Sequence, residues 1–203
     1  MIRPFGESAL LVELGSAERA QALAASLRAE HLEGVLEAIP GLESVLVELA
    51  PLGSDPDTLF AALEARIATM GGSPAPGRLH TIKVDYDGPD LDEVASISGL
   101  SRDEIVELHT GADLRVLFCG FAPGFAYLGD LPARLKVDRL ATPRTRTPAG
   151  SVAIAGRMSG IYPADLPGGW RVIGRTDVTL FDPHRDPPVL LLPGDRVRFE
   201  PAR

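Results

Sequence analysis

Between Gly120 and Thr176 the chain strings together glycines, prolines and aromatic residues in an order that neither a helix nor a plain strand would choose. It runs Gly120-Phe121-Ala122-Pro123-Gly124-Phe125-Ala126-Tyr127-Leu128-Gly129, then Pro143-Arg144-Thr145-Arg146, Pro148-Ala149-Gly150-Ser151-Val152-Ala153-Ile154-Ala155-Gly156, Gly160-Ile161-Tyr162-Pro163 and Pro167-Gly168-Gly169-Trp170. Glycine admits positive φ and close backbone approach, whereas proline fixes φ and removes a donor, so their alternation specifies a path for the chain. The stretch therefore predicts loops of fixed shape that carry an aromatic-lined binding surface.

The flanking sequence supplies the scaffold. Ala9 to Leu14 is an apolar run bounded by Gly6 and Gly15, which predicts a strand, and Ser16 can cap a helix in which Ala20, Leu23, Ala24 and Leu27 recur at helical spacing. Leu32 to Ile39 and Ser44 to Leu49 read as paired strands around the Pro40-Gly41 turn. Asp55-Pro56 then opens a helix with Leu59, Leu63, Ile67 and Met70 on one face, ended by Gly71-Gly72. With Leu79 to Val84 as a closing strand, this order predicts an α+β sandwich of the ferredoxin-like kind. The Pro- and Gly-rich run Ser73 to Gly77 is the linker, giving a first domain over 1–77 and a second over 78–203. In the second, Leu91 to Ser98 and Ser101 to His109 read as short helices, the latter with a Ser101 to Glu104 capping box. Short apolar segments at Leu114 to Phe118, Ser151 to Ala155, Trp170 to Gly174, Val178 to Phe181, Val189 to Leu192 and Arg196 to Phe199 then predict a small β-barrel or sandwich.

Composition removes several classes. With 45% hydrophobic and 24% charged residues over 203 positions, the chain is ordinary for a folded globular protein. Its formal net charge of -8 and lack of Lys/Arg runs argue against a nucleic-acid partner. No apolar run approaches a membrane span, and the first residues do not read as a signal peptide. Cys119 is the single cysteine, which rules out an internal disulfide and predicts a reducing, cytoplasmic setting. Its neighbours Val116-Leu117-Phe118 predict a packed side chain, the alternative being a nucleophile with a nearby base.

No nucleotide-binding glycine loop, H-E-x-x-H pair or cysteine pair is present, and the four histidines lack ligand spacing, so no metal site is predicted. His109 falls at the end of a helix just before the loop-rich region, where an imidazole either satisfies the helix terminus or faces a pocket. Arg144, Arg146, Arg157 and Arg175 lie in or beside the glycine-rich loops, where guanidinium forks can clamp a carboxylate or phosphate or else pair with surface acids. Ser151 reads as a hydrogen-bonding hydroxyl. Phe121, Phe125, Tyr127, Tyr162 and Trp170 crowd into the same loops although aromatics are 5% of the chain, as binding surface or as packing.

These motifs, in this order, resemble the allophanate-hydrolase subunit 1 or KipI family over nearly the whole chain. The strongest matches are Gly120 to Gly129, Pro148 to Gly156, Gly160 to Pro163, Pro167 to Trp170, Ile173-Gly174-Arg175-Thr176 and Leu180-Phe181-Asp182-Pro183. Arg157-Met158-Ser159 stands where family members commonly carry a Gln-Thr pair, and Leu114 where an aromatic is frequent. The resemblance implies a small α+β domain followed by a cyclophilin-like β-barrel. It also implies a non-autonomous subunit of an ATP-dependent 5-oxoprolinase that opens 5-oxoproline to glutamate together with a subunit-2 or KipA-type chain and a LamB/YcsF-type chain. ATP, with Mg2+, would be bound by the assembled complex. On this reading His109, Arg144, Arg146 and Arg175 are the expected catalytic residues. Gly120, Phe121, Pro123, Gly124, Phe125, Tyr127, Ser151 and Tyr162 are expected to bind substrate. Two alternatives carry over from the same family: inhibition of a sensor histidine kinase, and a carboxyltransferase-type role related to urea carboxylase.

Overall fold

The computed structural model of the chain describes residues 1–51, 56–71 and 77–202 and divides into two units, Met1–Pro76 and Gly77–Arg203. Most of the expected linker Ser73 to Gly77, together with Gly72 and Asp55, lies outside the described residues.

The first unit contains β1 (Ile2–Pro4), β2 (Ala9–Glu13), α1 (Ala17–Ala29), β3 (Val35–Pro40), β4 (Ser44–Leu49) and α2 (Pro56–Thr69). Its four strands form an antiparallel sheet in the order β1-β2-β4-β3. Ser16 caps α1 through its side chain, which accepts from the Arg19 N–H. Period-two alternation puts Leu10, Val12, Val45 and Val47 on the buried face, with the pairs Leu10↔Val47 and Val12↔Val45 in register. Leu23, Leu27, Leu59 and Leu63 from the two helices complete that core.

The expected closing strand is a correction. Leu79–Val84 forms β5 and pairs in parallel with the final strand of the second unit, where Ile82 and Val84 are buried. The place beside β2 belongs to Ile2–Pro4, joined to it by a short reversal that costs far less closure entropy than a return of some seventy residues. Pro4 is tolerated because β1 is an edge strand.

The second unit continues with α3 (Leu91–Ser98), α4 (Arg102–Thr110), β6 (Leu114–Cys119), β7 (Ala126–Gly129), a 3-10 turn at Ala133–Leu135, β8 (Arg144–Thr147), β9 (Ser151–Ala155), β10 (Met158–Ile161), β11 (Leu166–Gly168), β12 (Arg171–Arg175) and β13 (Arg196–Pro201). Seven strands form one sheet in the order β12-β9-β10-β7-β6-β13-β5. The sheet nearly closes on itself, because Asp85 and Arg175 exchange both backbone hydrogen bonds at 2.9 Å. Beyond that pair the seam continues from Gly88 N–H to Ile173 O and from Asp90 N–H to Val172 O. β8 and β11 make a separate two-stranded ribbon.

Two expected strands are absent as such among the described residues. Val178 to Phe181 and Val189 to Leu192 meet only through a Phe181↔Val189 bridge, between which the Asp182-Pro183 and Pro187-Pro188 steps remove ladder donors. β7 and β10 take their places in the barrel. Their glycines and alanine hide the β-branched signal by which a strand is read from sequence.

Candidate functional site

The aromatic residues gather on the outer wall of the barrel. All five residues of β9 are buried, with Val152 and Ile154 in the main core and Ala153 and Ala155 in a second cluster with Phe125, Tyr162, Trp170 and Val172. Ala153 and Ala155 are small, and Gly160 opposite Ala153 has no side chain, so aromatic rings can lie against the sheet. A Cβ on Gly160 would stand 3.0 Å from the Phe125 ring and 3.2 Å from that of Trp170. The rings meet edge to face: Phe125 and Tyr162 have centroids 5.5 Å apart, Phe125 and Trp170 5.7 Å, and Tyr127 and Trp170 5.6 Å. Together with Pro143 and Pro167 they line a cavity of about 290 Å³.

Phe121 stands at its rim, 57% exposed and with φ of 70°. A left-handed backbone is costly for a side chain of this kind, and such outliers persist where the surrounding structure imposes them. Here the Gly120 to Gly124 turn imposes it, with Gly120 N–H donating to Phe125 O and Phe125 N–H to Ala122 O. The ring is held edge-on to Phe125 and Tyr162 while leaving a face to solvent.

The cavity has one charged lining residue among those described. Arg139 places its guanidinium carbon 5.9 Å from the Trp170 ring centroid, a cation-π arrangement. Burial holds the Tyr162 hydroxyl above the usual phenol range, opposed by the nearby Trp170 backbone and by the charges of Arg139 and Arg144. A second cavity of about 250 Å³ is lined by Arg144, Thr147, Ser151, Arg175 and Asp87, among others. The two cavities are linked through Arg144, which lines the second and donates to the carbonyl of Trp170, a residue of the first, at 3.5 Å.

A nearly closed seven-stranded sheet in a chain that also carries a small α+β unit has counterparts among known proteins. The model of the carboxyltransferase domain, subdomain C and D, matches residues 1–191. The 5-oxoprolinase B-subunit of Escherichia coli O157:H7 is 43% identical, over 98% of this chain and 94% of that protein. The chain belongs to this family. The 5-oxoprolinase B-subunit of Bacillus subtilis strain 168 is 37% identical over 98% of the chain and 91% of its own length. The crystal structure of TTHA0988 superposes with a TM-score of 0.86 at 37% identity; it covers all of this chain, which spans 40% of that longer one.

In this family member the residues expected at the site divide into four groups. Phe121, Phe125, Tyr127 and Tyr162 line the aromatic cavity, while Arg144, Ser151 and Arg175 line the neighbouring one. Gly120, Pro123 and Gly124 belong to the turn that carries Phe121, and Gly124, at φ of 83°, packs its backbone against Phe181 and Leu180. Arg146 and His109 stand apart from both cavities. Arg146 is on the exposed ribbon, where both of its bonds go to Asp165.

His109 is in the barrel core, fully buried and stacked on Phe199 at 4.5 Å. Its Nδ1 lies 2.7 Å from the Tyr86 hydroxyl and its Nε2 2.9 Å from Ser159 Oγ. Ser159 in turn donates to Ala153 O, so it accepts from an Nε2–H, and Tyr86 donates to Nδ1. Burial pushes the imidazole pKa down to about 3, which keeps it neutral, and pushes the Tyr86 hydroxyl up. This relay ties α4 to β10 inside the barrel and removes His109 from reach of a bound molecule. Cys119 is likewise packed, its thiol pushed up to about 11 by burial and then by Asp195.

Arg139 and Thr147 are not marked by the sequence. Arg139 falls in no glycine or proline motif, and its standing comes from Trp170, which is 31 positions away in the chain but beneath it in space.

Proposed function

We propose that this chain is a non-autonomous subunit of an ATP-dependent 5-oxoprolinase and that its aromatic pocket holds the cyclic amide. The observation that carries the reading is the end-to-end match, at 43% identity, to a protein named as the B-subunit of 5-oxoprolinase. The pocket supports it in size and character: at about 290 Å³ it lies at the small end of ligand sites, which run from roughly 300 to 1,000 Å³, and its rings suit a compact ring with few polar atoms.

The reading places ATP and Mg2+ elsewhere in the complex. A cavity of about 740 Å³ is lined in part by Asp85, Asp87, Asp103 and Glu107, and its two arginines are already paired, Arg102 with Asp92 and Arg175 with Asp87. Such a surface repels a triphosphate. Opening an unreactive lactam needs activation of its oxygen, a step that rests on positioning and charge clamping, and this chain's contribution on the proposed reading is to position the ring. The TTHA0988 chain, of which this one spans 40%, supports the view that the fold works together with further polypeptide. On this reading that polypeptide is a subunit-2 or KipA-type partner, with a LamB/YcsF-type chain completing the complex.

The test is glutamate release from 5-oxoproline and ATP by this chain alone, then with the KipA-type and LamB/YcsF-type chains added. Release only from the full mixture is the expected result. A well-formed complex that releases none overturns the reading in favour of kinase inhibition or another amide substrate.

A further inference from the structure

Four arginines beside the aromatic loops and the seam are held by carboxylates. Arg144 is bound to Asp90, Arg171 to Glu93, Arg146 to Asp165 and Arg175 to Asp87. Arg139 differs. Among the described residues no carboxylate stands within ion-pair distance of it, in a chain with 28 acids and 20 basic residues. It is exposed, rests over the Trp170 ring and is the sole charged residue lining the aromatic cavity among those described. An unpaired guanidinium fork over an aromatic wall is a ready receptor for a planar anion, because stacking fixes the fork while its N–H donors remain free.

The same cavity is lined by Phe121, kept in its left-handed conformation and 57% exposed. Cavity, cation and strained aromatic thus surround one small space. The walls are largely apolar rings, the Tyr162 hydroxyl is turned against Gly168, and the positive charge comes from Arg139 alone among the described lining residues. A molecule that satisfies all three is a compact ring bearing a single carboxylate.

We infer that Arg139 is the carboxylate anchor of the aromatic pocket, which receives a small cyclic amino-acid derivative with its ring between Phe121 and Trp170 and its carboxylate on the Arg139 fork. This rests on the proposed oxoprolinase reading for the choice of 5-oxoproline as ligand, although the anchor itself follows from the geometry. Arg139 selects and orients; nothing in its position gives it a part in bond breaking.

Trp170 is the chain's only tryptophan, so its fluorescence reports occupancy of this pocket directly. The experiment titrates the full chain with 5-oxoproline and with 2-pyrrolidinone, the same ring without its carboxylate, and measures KM in the assembled complex. Arg139→Gln, exposed and unpaired, leaves folding intact. The expected result is a preference for 5-oxoproline of about tenfold or more over 2-pyrrolidinone. Arg139→Gln abolishes that preference and raises KM for 5-oxoproline by a similar factor with little change in kcat, while Arg139→Lys retains part of it. If the complex turns over 5-oxoproline and Arg139→Gln moves neither fluorescence midpoint nor KM, the anchor is overturned and the oxoprolinase reading stands. If the complex is silent but Trp170 responds to L-proline and not to pyrrolidine, and Arg139→Gln erases the difference, the anchor stands and the oxoprolinase reading falls.

Discussion

Arg144 donates to the buried carboxylate of Asp90 at 2.5 Å across the barrel seam, and the other oxygen of Asp90 accepts from the Val172 N–H at 2.6 Å. Asp90 occupies the cap position of α3 yet makes no side-chain cap there; its carboxylate is used to fasten the seam to β12. The two partners are unequally buried, the Arg144 side chain being 30% exposed and that of Asp90 6%. Removing one or the other is therefore not equivalent. Arg144→Ala leaves a buried anion with one backbone donor and is expected to cost about 3 kcal/mol. Asp90→Asn keeps an acceptor for Val172 and leaves an arginine that water can reach, so it should cost about 1 kcal/mol. Urea denaturation of both variants checks the order, and equal losses would show that the pair is not what fastens the seam.

The neutral His109 gives stability a pH dependence. Its folded pKa, about 3, lies below the ordinary value of 6.5, so the unfolded chain takes up the proton first as the solution is acidified. Its contribution is whole above about pH 6.5 and is lost as pH falls through the window down to about 3, at up to about 1.4 kcal/mol per pH unit. His109→Gln keeps polar atoms in the relay without a titrating group. The expected outcome is that the variant is less stable at pH 7 but loses less between pH 7 and 5 than the wild type. Parallel loss in both proteins would remove His109 as the origin.

How far the sequence carried the fold differs from element to element. The capping box was legible because Ser101 and Glu104 satisfy each other within one turn: the Ser101 side chain accepts from Glu104 N–H, and the Ser101 N–H donates to the Glu104 carboxylate. Helix α1 was legible for the same reason, with its cap at Ser16 and its apolar face set by local spacing. Leu79 to Val84 was legible as a strand but not in its pairing, since period-two alternation says which face is buried and not which neighbour supplies the ladder. The aromatic loops were legible as a group through their glycines and prolines. The division of β9 into core-facing valine and isoleucine and outward alanines, which makes room for those rings, emerges only with both faces in view. Arg139 is the extreme case. Its significance lies in its ring contact with Trp170 and in the lack, among the described residues, of a carboxylate within ion-pair distance although Asp138 precedes it in the chain, and no local pattern records what a side chain fails to meet in space.

Gly88 tests the seam from its backbone side. A Cβ there would overlap the carbonyl of Val172 and the backbone of Ile173, fixed atoms of β12 that cannot move without opening the barrel. Gly88→Ala is expected to destabilise by at least about 2 kcal/mol. Gly120→Ala is the matched control, since a Cβ there meets nothing within 4 Å and the backbone is not left-handed. It should change stability by less than about 1 kcal/mol, in either direction. Thermal unfolding of the two variants side by side reads the contrast, and a tolerant Gly88 would mean that the seam yields.

Phe121 offers a separation of stability from function. Its φ of 70° is one that asparagine adopts far more readily, and its ring, 57% exposed, contributes little burial. In Phe121→Asn the relief of backbone strain, of order 1 kcal/mol, opposes the loss of edge contacts with Phe125 and Tyr162, each worth about 0.5 to 1.5 kcal/mol when well buried and less at this rim. Stability should thus stay within about 1 kcal/mol of the wild type. Ligand-induced change in Trp170 emission should weaken, because one lining ring of the pocket is gone while Trp170 and Arg139 remain. Phe121→Val, which is β-branched and resists a positive φ, should lose both stability and response. If Phe121→Asn binds as the wild type does, the strained turn serves packing alone, and the pocket is closed on that side by something other than this ring.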